Sequence, residues 1–424
     1  MTLYVEKLSI LSFTIYILPE LVGNKLDINS WNELYYFNAS KSGKWLASLV
    51  CRFSGCNVRK YDFEIRRLKD KNGESINARI SRKYLFEIQD QIIKNGAFKL
   101  MYKEDWNKNR IYEYIRKGVL VPSSSTSINY PPNTVFMIQR VFLQMQAQAI
   151  TNSKFFMIDR LWMSIYVKYA LRYGITVIPM KYMYNVQETL RNRIKEILRK
   201  FPKVIHLIKN IRSFFLFGRE MKMDNKNIDT KTPKLIIDGV GEFNLERNGK
   251  NTDFYFYLYS ELPSKYIASY YKSRFERKRL QDEGIYAIHY LNSSHPINTV
   301  SVISRPTYCP LFKKEYKELA SIIQQYNNSK SYWVGFFRKH GIKVYLSWYS
   351  NYNRHMAIGD AINQVGGVSA IWERSFLGEP NPKLFTESDI SFHYSQWKAN
   401  EGQGREGKTS YRIYVGFLRD YGIE

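Results

Sequence analysis

The segment from Lys343 to Ser375 limits the possible folds more than any other part of the chain. "KVYLSWYSNYNRH" passes from an apolar run into a polar loop holding Arg354 and His355. "MAIGDAINQVGGVSAIWERS" follows, with a helix-like pattern, a double glycine and a second strand-like run ending in Glu373 and Arg374. Ile358, Ala361, Ile362 and Val365 recur at helical spacing, so one helix face is committed to a sheet. Gly366 and Gly367 stop the helix, because glycine reaches the left-handed conformation of a C-terminal cap without steric cost. A strand, a helix and a second strand at this spacing read as one crossover of a parallel sheet. The loop after the first strand then lies outside its carboxyl end, where open α/β sheets bind ligands.

The preceding residues extend the pattern. "KLIIDGVG" reads as a strand running into a glycine turn, with Gly239 and Gly241 too few for a dinucleotide fingerprint. "DFYFYLYS" reads as a second strand, "LPSKYIASYYKSRFERKRLQDEG" as a long helix with Pro263 in its first turn, and "IYAIHYL" as a third strand. A helix at about 310–327 and a helical "WVGFFRKHG" lead to the opening unit, and "YRIYVGFLRDYGIE" supplies a final strand. Residues 231–424 are therefore expected to form a Rossmann-like α/β region with a parallel sheet.

Upstream the pattern is mixed. Residues 1–120 read as an α+β region in which "VRKYDFEIRRL" and "SINARISRKYLFEI" form a hairpin about Asn72-Gly73. The apolar "LSILSFTIYIL" reads as a buried strand, since it lacks the small-residue cleavage site of a signal peptide. "VPSSSTSINYPPN", residues 121–133, has the composition of a linker. Residues 134–230 read as a helical region containing a short strand, "ITVIPM", and a basic amphipathic segment at 185–224 that Pro202 breaks or kinks. That segment is suited either to an anionic membrane surface or to packing on the core.

The formal charge of +26, from 64 Lys plus Arg against 38 Asp plus Glu, favours anionic partners. Lys, Asn, Ile and Tyr are abundant throughout, so part of that charge reflects compositional bias. The 34 Tyr and 25 Phe could stack on bases, but they fall in apolar strand-like runs where core packing explains them, which disfavours nucleic acid as the partner. Three cysteines make no disulfide framework, and neither they nor the six histidines show metal-site spacing. No window approaches the roughly 20 uncharged residues of a membrane span. The expected location is cytoplasmic, with peripheral attachment to the inner face of a membrane.

Several residues carry candidate chemistry. His355 is suited to general-base work or to bonding a phosphate or sugar hydroxyl, unless it is a surface loop histidine. Arg354 beside it is suited to a phosphate, together with the backbone N–H groups of the helix start. Asp360 lies in the expected first turn, where the helix dipole alone favours a carboxylate, so a catalytic role competes with a capping one. Glu373 could deprotonate an acceptor hydroxyl while Arg374 pairs with phosphate, or the two could form an ion pair.

The blocks "NELYYFNASKSGKWLASLVCRFSGCNVRKYDFEIRRLKDKNGESINARISRKYLFEIQDQI", "GVGEFNLERNGKNTDFYFYLYSELPSKYI" and "HMAIGDAINQVGGVSAIWERS" with "DISFHYS" resemble a bacterial surface-carbohydrate biosynthesis family similar to two-domain GT-B type glycosyltransferases. The resemblance implies a nucleotide-sugar donor bound between two Rossmann-like domains, a glycan or lipid-linked acceptor, and no cofactor beyond the donor itself. It adds Asp253 and Glu261 as substrate-binding candidates. It also casts residues 231–424 as a GT-B-like N-terminal domain whose second domain, roughly 150 residues, is missing or carried by another polypeptide. A non-catalytic scaffold of polysaccharide assembly at the membrane is the alternative.

Overall fold

In the computed structural model, the described residues are 2–23, 32–63, 68–69, 71–120, 130–181, 232–238, 262–271, 273–289, 313–347, 353–372, 387–393 and 409–415. The chain divides into two compact units. Unit 1 comprises Met1–Gly96 with Ser124–Ile205, and unit 2 comprises Ala97–Ser123 with His206–Glu424.

Among the described residues, unit 1 holds five strands: β1 (Thr2–Leu8), β2 (Glu33–Ala39), β3 (Asn57–Lys60), β4 (Ser153–Ile158) and β5 (Ile175–Met180). Every pairing is parallel and the order is β3-β2-β1-β4-β5. The chain winds outward from β1 to β3, then returns to the centre and winds the other way, which is the doubly wound Rossmann order. Period-two alternation sorts the side chains. Leu3, Val5, Leu34, Tyr36, Phe156 and Ile158 face one way, onto the helical stretch at residues 10–23 and the helix Lys41–Ser54. Tyr4, Tyr35, Phe37 and Phe155 face the other way into a set of ring contacts with Tyr61, and the Arg140 guanidinium lies 4.6 Å from the Tyr61 ring centroid.

The described residues of unit 2 hold seven: β6 (Lys234–Asp238), β7 (Ile267–Tyr271), β8 (Tyr286–His289), β9 (Ile342–Ser347), β10 (Val368–Trp372), β11 (Ser388–His393) and β12 (Thr409–Tyr414). All pair in parallel, in the order β12-β11-β10-β9-β6-β7-β8. Counted from β6, this is again the doubly wound order. The helices Lys313–His340 and Arg354–Gln364 bury Trp333, Phe337, Ile358, Ala361 and Ile362 on one sheet face, and the helix Arg274–Asp282 lends Leu280 to the other. The expected Rossmann-like region is present, and Ala97–Ser123 joins it from outside the expected boundary.

Several expectations are corrected. The N-terminal half is not α+β but a second parallel α/β unit, because "SKFFMI" is a strand inside the stretch read as helical and pairs with β1. The described residues hold two doubly wound parallel sheets where one was expected. Among the described residues, the two arms expected to pair about Asn72-Gly73 do not form a hairpin. Gly73 has φ +79°, but among the described residues only one antiparallel bridge, Lys69 with Ser75, surrounds it; β3 pairs with β2, and residues from Ile76 are helical. "LSILSFTIYIL" leaves β1 at Leu8 and turns helical, since Ser9 and Ser12 form a capping box and Phe13, Ile17 and Leu21 recur every four residues on the buried side. "IASYY", read as helix, is the buried strand β7, and its helix starts only at the Ser273 cap. The helices at 310–327 and "WVGFFRKHG" are one 28-residue helix. The linker residues 130–133 lie at the start of the helix Pro131–Ala147, and the division between units falls at Ser123/Ser124. The segment 185–224 lies outside the described residues.

Candidate functional site

In unit 2 the winding direction reverses between β6 and β9, and the carboxyl ends of those strands are where a doubly wound sheet opens a crevice for ligands. Ser347 ends β9, in register with Asp238 of β6. The chain re-enters the described structure at Asn353 and starts the helix Arg354–Gln364. His355 therefore sits in a first helical turn and is buried, where a loop position at the rim was expected. Its Nδ1 lies 3.3 Å from Ser347 Oγ and 3.5 Å from Tyr345 Oη. Gly366, with φ +71°, caps the helix at its other end as expected from the sequence. Gly367 lies so close to the Lys343 carbonyl and the Ile362 side chain that a Cβ would overlap both.

The helix Ile111–Leu120 completes the cluster. Its Lys117 is fully buried, and Gly118 lets the Asn353 amide approach to where a Cβ would stand 2.9 Å from Asn353 Nδ2. Burial, opposed by Glu113 and reinforced by Arg116, lowers the Lys117 ammonium to about 7. Burial likewise lowers His355 to about 3, helped by the positive charges of Lys117 and Arg354. The imidazole is thus neutral at physiological pH and a weak proton acceptor, better suited to orienting Ser347 than to general-base work. Arg354 is exposed, with its guanidinium 5.3 Å from the Trp333 ring centroid.

Asp360 belongs to a different set of contacts. Its Oδ2 accepts from the Arg110 backbone N–H at 2.9 Å, just before the helix Ile111–Leu120, and from Tyr326 Oη at 2.6 Å. Burial raises this carboxyl, while Tyr326 and Arg110 hold it down. The Arg110 guanidinium reaches Asp389 at 2.5 Å, and Asp389 also accepts from the Ser369 backbone N–H, the Ser369 hydroxyl and the Asn363 amide. Burial pushes Asp389 up, but these bonds and the Arg110 charge leave it below the ordinary carboxylate range. Ser369 and Asp389 are the second residues of β10 and β11, at the amino ends of the strands. Through its bonds to Arg110 and Tyr326, Asp360 ties the residue before the helix Ile111–Leu120 and the helix Lys313–His340 to its own helix. Glu373, Arg374, Asp253 and Glu261 lie outside the described residues.

Unit 1 reverses between β1 and β4. There Glu6 is paired with Arg160 and accepts from the Ile158 backbone N–H at 2.9 Å, while Arg160 also donates to Thr134 Oγ1 at 2.8 Å. Trp162 follows with φ +62°, a left-handed conformation that a bulky residue adopts only under constraint. This edge is occupied by its own ion pair. Among the described residues, no three His, Cys, Asp or Glu stand together as metal ligands would.

Lys117, Ser347 and Tyr345 were not singled out from the sequence. Lys117 is more than two hundred residues from His355 in the chain, and buried positions surround it on a helix covered on nearly all sides, so no local pattern marks it. No family model, curated protein or solved structure matches the chain.

Proposed function

We propose that the chain is a glycosyltransferase-like enzyme of bacterial surface polysaccharide biosynthesis, moving a sugar from a nucleotide-activated donor to a glycan or lipid-linked acceptor. The observation that carries this reading is the buried Lys117 beside a helix N-terminus at the strand-order reversal of unit 2. A donor diphosphate is a polyanion, and its approach would return a lysine depressed to about 7 to the ammonium form. The first-turn N–H groups of the helix Arg354–Gln364 and the Arg354 guanidinium would bind the remaining oxygens. Together they would stabilise the nucleotide as it leaves.

In this reading neutral His355 holds Ser347 toward the ligand, and Glu373, the residue after β10, remains the candidate to deprotonate the acceptor. Arg374, Asp253 and Glu261 remain candidate substrate contacts. Two doubly wound sheets is also the number that the GT-B resemblance implies, although fold by itself assigns no chemistry. The test is nucleotide release and calorimetric binding with a panel of nucleotide sugars. At least one donor should bind and turn over, and Lys117→Met should weaken its binding tenfold or more, on the order expected for one lost charge contact. If no donor binds or turns over, the proposal fails.

A further inference from the structure

Unit 1 carries an exposed ridge that its own packing does not use. On the helix Lys41–Ser54, Trp45, Leu49 and Phe53 follow one another at four-residue spacing on the outer side, with Trp45 67% and Phe53 85% exposed. The opposite side of this helix is anchored through Ala47 and Cys51, so the ridge is held in a fixed orientation. The helical stretch at residues 10–23 lies against it, since Gly43 packs where a Cβ would stand 2.5 Å from Ser9 Cα. That stretch turns Ile10, Leu11, Ile15 and Val22 outward. Seven large apolar side chains are thus exposed on two touching helices, more than isolated surface residues would supply, and such a concentration marks an interaction surface.

The charges around the patch have one sign. Lys41, Lys44 and Arg52 are exposed on the same helix, next to the Trp45–Leu49–Phe53 column. No Asp or Glu is among the exposed residues of either element, and Glu20, only part-exposed, is paired with Lys154. We propose that this face docks the protein on an anionic lipid bilayer, with the aromatic and aliphatic tips in the acyl boundary and the three basic groups at the headgroups. A protein partner of ordinary composition would have to cover a Trp and a Phe and also supply acidic groups. An anionic bilayer supplies both environments in one surface, and the formal charge of +26 favours it. This surface is distinct from the crevice of unit 2 and does not depend on the chemistry proposed there.

Flotation of the full chain with vesicles of phosphatidylcholine alone, and of phosphatidylcholine containing phosphatidylglycerol, tests it. The chain should float with the anionic vesicles, and the double substitution Trp45→Ala, Phe53→Ala should lower the bound fraction about tenfold or more. The triple substitution Lys41→Gln, Lys44→Gln, Arg52→Gln should remove the preference for the anionic lipid. Removing three exposed charges elsewhere, Lys168→Gln, Lys278→Gln and Arg338→Gln, should leave it intact. A measurement that tolerates a poorly folding variant uses brominated lipid, which should quench emission of the unaltered chain but quench Trp45→Phe less. Equal flotation of the ridge variant and the unaltered chain would overturn the proposal. So would a dimer that the ridge variant disrupts without any change in vesicle binding.

Discussion

Lys117 is the residue whose environment is most at odds with its charge. Its pKa falls from the usual lysine range to about 7 because burial penalises the ammonium. Between pH 7 and the unfolded value near 10, the unfolded chain binds the extra proton, so stability rises with pH across that window. From pH 7 to pH 9 the gain from this one group is about 2 kcal/mol. Urea unfolding at the two pH values should show it, and Lys117→Met should abolish the difference while raising stability at pH 7, since Glu113 keeps Arg116 as its partner. A gain in stability together with lost donor binding would mark Lys117 as a group kept for function at a cost in stability. His355 works in the acidic range. With its folded pKa lowered to about 3, the unfolded chain protonates first as pH falls below 6.5, and stability is lost from there down to about 3. His355→Gln should flatten the acid limb of the stability profile over that range. If both profiles match the unaltered chain, the burial of these two groups is not what the structure indicates.

At the level of elements, three glycines give a graded test of how the helices are seated. A Cβ at Gly367 would meet the Lys343 carbonyl, which cannot move without disturbing β9, and Gly367→Ala should cost about 1–3 kcal/mol or more. A Cβ at Gly359 would meet only the tip of the Arg110 side chain. Gly359→Ala should therefore cost less, and its mark should be a rise in the Asp389 pKa, readable by NMR, as the guanidinium swings off that carboxylate. Gly335, exposed in the long helix with open space around it, should gain about 0.5–1 kcal/mol on change to Ala. Thermal melting ranks the three. The same elements mark where sequence pattern is readable. The helix Arg354–Gln364 was legible because its apolar spacing and double glycine agree. "IASYY" was not, because Pro263 signals a helix start as readily as a loop, and a five-residue buried strand has no period of its own to oppose it. "LSILSFTIYIL" misled for the related reason that an all-apolar run satisfies strand and helix alike, and only the Ser9–Ser12 cap decides.

At the level of the whole molecule, the organising fact is that residues 97–123 interrupt unit 1 in sequence and belong to unit 2 in space. A division drawn from composition cannot find this, because the linker-like "VPSSSTSINYPPN" marks only one of the two crossings. The consequence is that unit 2 is incomplete without a segment encoded more than eighty residues before the rest of it. That segment brings the buried Ile111, Tyr114, Ile115, Val119 and Leu120, and it brings Arg110, which joins Asp360 and Asp389. Losing these part-buried contacts removes stability, and each lost apolar side chain costs about 1.5–3 kcal/mol more. For these five side chains that is about 8–15 kcal/mol, as large as the 5–15 kcal/mol that typically holds a domain folded. Residues 206–424 expressed alone should therefore lack a cooperative unfolding transition and a near-ultraviolet dichroism signal. Adding a synthetic peptide of residues 97–123 should restore both, whereas the same peptide with Arg110→Ala should restore them only weakly. Cooperative folding of residues 206–424 without the peptide would contradict the assignment of the inserted segment, and with it the placement of Lys117 at the proposed crevice.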